Sequence, residues 1–163
     1  MHFFFMQPIA GRGLRTGERC KIMLDKRLEP AWWALRVGIG AAAFLAGLDK
    51  FFNILTNWSM YLSPLAQRFL PVSATAFLRT VGVIEMLVGL AILTVATRIG
   101  AYVAAIWLLA ITVNLLSTGM FFDIAVRDVE MALAAFTLAR LTQVRESVTQ
   151  EIPSHRDQAV LQH

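Results

Sequence analysis

Four apolar stretches, at about residues 31–52, 74–96, 99–119 and 124–141, alternate with short polar intervals along the chain. A helix of about 20 residues crosses a bilayer's hydrocarbon core, so each stretch is long enough, the fourth only just. Inside lipid every backbone amide needs an internal partner, which makes helices the reading for segments of this length. The pattern predicts an all-α integral membrane protein, an antiparallel four-helix transmembrane bundle. Residues 1–30 form a basic N-terminal segment, 31–141 the membrane domain and 142–163 a polar, mobile tail.

The loop at 53–73 breaks the rhythm. Trp58, Tyr61, Leu62, Leu65 and Phe69 can form one apolar face, broken by Pro64 and closed by Pro71. Such a piece suits the membrane interface, either as an aromatic anchor or as a lid over a pocket.

Composition supports the membrane class. Hydrophobic residues make up 57% of the 163 and charged ones 16%, and the mean hydropathy is +0.60. A water-soluble domain of that size has too little polar surface for this apolar content. Basic residues gather in the N-terminal segment, at Arg98 between spans two and three, and after span four at Arg140, Arg145 and Arg156. By the positive-inside bias both termini then face the cytoplasm. The net charge of +4 is small and placed for orientation, so a nucleic-acid partner is not expected; membrane lipids are. Met23 competes with Met1 as the start, because residues 25–30 lead directly into the first span. Cys20 is the one cysteine, which excludes a thiol–disulfide relay within a single chain. His2, His155 and His163 lie in the tails, so the spans present no zinc or haem ligand set.

The candidate chemistry lies in charges set within apolar stretches, because hydrocarbon strongly disfavours an unpaired charge. Arg36, Gly40, Ala43, Gly47 and Lys50 share one face of span one, and Gly82, Glu85 and Gly89 one face of span two. Counting residues places Arg36 and Glu85 within roughly 5 Å in depth, so an Arg36–Glu85 pair is expected. Asn114 can bridge helices from span three. Span four opens with Asp123, Arg127, Asp128 and Glu130, which predicts an outer cavity lined by both signs of charge, with Glu85 and Arg36 as its floor. Glu85 and Arg36 are the catalytic candidates. Lys50, Asn114, Arg127, Asp128 and Glu130 are the substrate-binding ones. A carboxyl at such depth suits proton transfer or a quinone-like headgroup, whereas the same charges can serve only to fix helix packing. No broken helix marks the midplane site of a carrier.

The runs Leu35-Arg36-Val37-Gly38, Phe44-Leu45-Ala46-Gly47-Leu48-Asp49-Lys50-Phe51, Gly82-Val83-Ile84-Glu85-Met86-Leu87-Val88-Gly89 and Arg127-Asp128 resemble motifs of DoxX-like proteins, a family of four-helix bacterial membrane proteins. The resemblance implies an inner-membrane location and a role as a membrane subunit of a quinone-linked oxidoreductase system, with Arg36, Lys50, Glu85, Arg127 and Asp128 as matching residues. No pattern for flavin, iron–sulfur or haem binding is present, so electrons would pass through a bound quinone or a redox partner protein. A non-catalytic membrane scaffold is the alternative, and a homo-oligomer is compatible with either.

Overall fold

The computed structural model describes residues 16–69 and 72–160, with side chains between residues 26 and 147 apart from those at 66 and 69–71. The two candidate start sites, Cys20 and the tail histidines have side chains outside that range. The described chain is all helical: α1 (Thr16–Phe52), a 3-10 turn (Trp58–Tyr61), α2 (Pro64–Phe69), α3 (Ala74–Leu93), α4 (Thr97–Ser117) and α5 (Phe122–Val160). Residues 26–52 of α1, all of α3 and all of α4 are long and apolar enough to cross a membrane. Four charged residues in the first nine positions of α5, from Asp123 to Glu130, set that helix apart.

α1 and α5 overrun the spans read from hydropathy, whereas α3 stops at Leu93, short of residue 96. α1 starts well before residue 31 and passes through Pro30, whose missing N–H and ring bulk favour a bend where polar sequence gives way to apolar. α5 continues as backbone helix to Val160, where a mobile tail was expected. Contacts hold its middle: the Arg145 guanidinium lies 4.2 Å from the Trp32 ring centroid and 3.7 Å from Glu29, and Arg98 pairs with Glu146 at 3.1 Å.

α1 packs on α3, α3 on α4, α4 on α5, and α5 returns to α1. Glycines set the first of these contacts. A Cβ on Gly47 would lie 2.5 Å from the Gly82 carbonyl oxygen, and one on Gly82 would lie 2.6 Å from that of Gly47. Gly89 meets the backbone of Gly40 and Phe44 in the same way. Close backbone approach through small residues is the packing mode of helices that gain nothing from expelling water. The half of the bundle near Trp32 is apolar, built from Trp32, Ile39, Ile92 and small alanines of α4 and α5. Trp32 still satisfies its indole N–H by donating to Thr142 at 2.8 Å. The buried charged residues, Asp49, Lys50, Glu85 and Asp128, lie toward the other end.

Candidate functional site

Each long helix brings one polar side chain to a shared interior point. From α3, Glu85 is buried at 7% exposure. The Lys50 ammonium, from the last turn of α1, lies 2.5 Å from Glu85 Oε2. Trp107 of α4 donates its indole N–H to Glu85 Oε1 at 3.2 Å. Asp128 of α5 is buried and close enough to Glu85 and Lys50 to interact electrostatically with both. Burial of this kind is tolerated when opposite charges and hydrogen bonds replace water.

The loop after α1 closes the cluster. Lys50 Nζ sits 3.7 Å from the Trp58 ring centroid, a cation–π contact. Trp58 in turn donates its N–H to Asp49 Oδ2 at 2.8 Å. The other Asp49 oxygen accepts the backbone N–H groups of Ile54 and Leu55 at 2.9 and 3.1 Å. A carboxylate at a helix C-terminus is disfavoured by the helix dipole; three donors and the neighbouring Lys50 offset that here. Further along, Tyr61 packs edge-on against Phe121 with centroids 4.9 Å apart. Asn114 holds the loop from α4, accepting from the Ser63 N–H at 3.2 Å and donating to the Tyr61 carbonyl at 2.6 Å. Pro64 begins α2 rather than breaking a helix, as suits a residue that needs no N–H partner there.

The expected Arg36–Glu85 pair does not form. The interlocked glycines place Gly47 and Lys50 beside Gly82 and Glu85, while Gly40 already faces Ile92 and Leu93. Arg36 is fourteen positions from Lys50, about 21 Å along the helix. It sits instead at the opposite end of the bundle, where it donates to the carbonyls of Ile92 at 3.0 Å, Leu93 at 2.9 Å and Thr94. Trp32 and Trp33 flank its guanidinium at 4.9 and 5.1 Å. Arg36 thus serves the last carbonyls of α3, which have no partner within their own helix. Replacing Arg36 by leucine is expected to lower stability by about 2 kcal/mol, with lysine recovering part of the loss. Thermal unfolding in mild detergent measures this, and a change under about 0.5 kcal/mol would contradict the capping role.

Of the other sequence candidates, Lys50 and Asp128 join Glu85, Asn114 anchors the loop, and Arg127 and Glu130 point outward from α5. Residue counting missed Trp107, and it read Trp58 only as part of an anchor or lid, not as a partner of Lys50. Both are aromatic residues with one polar atom, and a tryptophan midway along an otherwise uncharged span is a signal for a buried donor. Compared with protein-family models, curated proteins and solved structures, the chain matches none.

Proposed function

We propose that the chain is a DoxX-like protein of the bacterial inner membrane. It crosses four times as an antiparallel bundle with both termini in the cytoplasm, and it serves as the membrane subunit of a quinone-linked oxidoreductase system. The observation that carries this reading is the convergence of Lys50, Glu85, Trp107 and Asp128 under the Trp58 ring. A quinone head has two carbonyl acceptors and a flat face. The cluster supplies an ammonium and an indole N–H as donors, and an aromatic ring against which a flat molecule can stack. A quinone held there would carry electrons between the membrane pool and a redox partner protein. Lys50 and Trp107 would orient its carbonyl, Asp128 and Glu85 would hold protons or balance charge, and Trp58 would keep water out.

Mass spectrometry of small molecules copurifying in mild detergent tests this reading. About one quinone per chain is expected, and Glu85→Gln should lower its retention at least about tenfold with helix content unchanged. Folded protein free of quinone, or a Glu85→Gln variant that retains it fully, contradicts the proposal. A scaffold role is favoured by one specific observation: both Glu85 oxygens already have protein partners, as a pair that only fixes helix register would require.

A further inference from the structure

α5 carries charge on two faces. Asp128 turns inward, but Arg127 and Glu130 are exposed. Among the described residues, neither of those two side chains forms an ion pair or hydrogen bond, although Arg127 is close enough to Asp128 to interact with it electrostatically. Their depth makes this significant. Residues 118–121 join α4 to α5, Tyr102 meets Phe136 with centroids 6.1 Å apart, and Arg98 pairs with Glu146 beyond them. Glu130 is therefore level with the middle of α4, a helix long enough to cross a membrane. An acid facing acyl chains at that depth is strongly disfavoured. Its neighbours are apolar, with Val126 and Leu133 60% and 62% exposed. Val126, Glu130, Leu133 and Thr137 follow one another at steps of four, three and four, the spacing of a helix–helix seam.

We infer that a second copy of this chain covers this face, the two α5 helices running side by side in the same direction, with Arg127 of each copy paired to Glu130 of the other. The inference rests on the membrane reading above. A twofold axis along the bundle makes the face self-complementary, because each copy offers one cation and one anion. The two residues differ by about 4.5 Å in height, within reach of both side chains. The polar pair at the seam sets its register.

Cysteine crosslinking in native membranes tests the pairing, in a Cys20→Ser background. Val126→Cys and Leu133→Cys are expected to give covalent dimer at least about fivefold above Leu87→Cys on α3. Arg127→Glu or Glu130→Arg alone should abolish that excess, and the double exchange should restore it. Equal crosslinking at all three positions, or an excess indifferent to the single reversals, overturns the pairing while leaving the protein in the membrane. Protein released from membranes by alkaline carbonate overturns the membrane reading and the pairing together.

Discussion

Replacing Gly47 by alanine is expected to destabilise the bundle by about 1–3 kcal/mol, whereas Gly38→Ala on the same helix is expected to be neutral or stabilising by up to about 1 kcal/mol. The added atom is identical, but its surroundings differ. At position 47 it would lie 2.5 Å from the Gly82 carbonyl oxygen and 2.8 Å from the Met86 nitrogen. These are backbone atoms that cannot rotate away. At position 38 it would meet nothing within 4 Å, so only the gain in helix propensity remains. Denaturant or thermal titration of both variants in one detergent gives the comparison directly. Equal effects would mean that α1 and α3 do not interlock through these glycines.

Replacing Lys50 by methionine alone is expected to have the larger effect, about 3–5 kcal/mol, because it leaves Glu85 buried without its counter-ion. The double variant Lys50→Met/Glu85→Leu should return to within about 1 kcal/mol of the wild type, since it removes both charges and keeps apolar volume. A thermodynamic cycle over the four proteins isolates the coupling. The same double variant separates the two functional readings. A scaffold keeps its biological activity once folding is restored, while a quinone site does not. A single variant as stable as the wild type would show that Glu85 does not depend on Lys50.

α1, α3 and α4 were legible because each carries an apolar run long enough to cross a membrane, and α5 is a helix too, though its four early charges set it apart. The register between the helices was not legible. Phe52 and Ala74 do end α1 and begin α3, as hydropathy predicts, but depth counting set those two ends level and so placed Arg36 near Glu85. The glycine contacts then bring Lys50, not Arg36, level with Glu85. Those glycines were visible as small-residue faces on both spans, but a face does not say which glycine meets which. The inward position of Asp128 and the outward positions of Arg127 and Glu130 follow from helical phase, which α4 sets through its packing on α5. The loop was the least readable part. Trp58 has the composition of an interfacial anchor, and only Asp49, drawing in Ile54, Leu55 and the indole, turns it back over Lys50.

That arrangement has an energetic consequence for any molecule that competes with Trp58 for Lys50. Swinging the indole away breaks one hydrogen bond to Asp49 and one cation–π contact, together about 3 kcal/mol. Asp49 would meanwhile keep its hold on Ile54 and Leu55, and Asn53, with a φ of 50°, marks the bend before them. An opened form would then make up on the order of 1% of molecules, weakening apparent affinity about a hundredfold relative to a chain held ajar. For an occupant that displaces the indole from Lys50 and gains no contact with it, Trp58→Ala would on this arithmetic tighten binding, even as the protein loses part of its own fold.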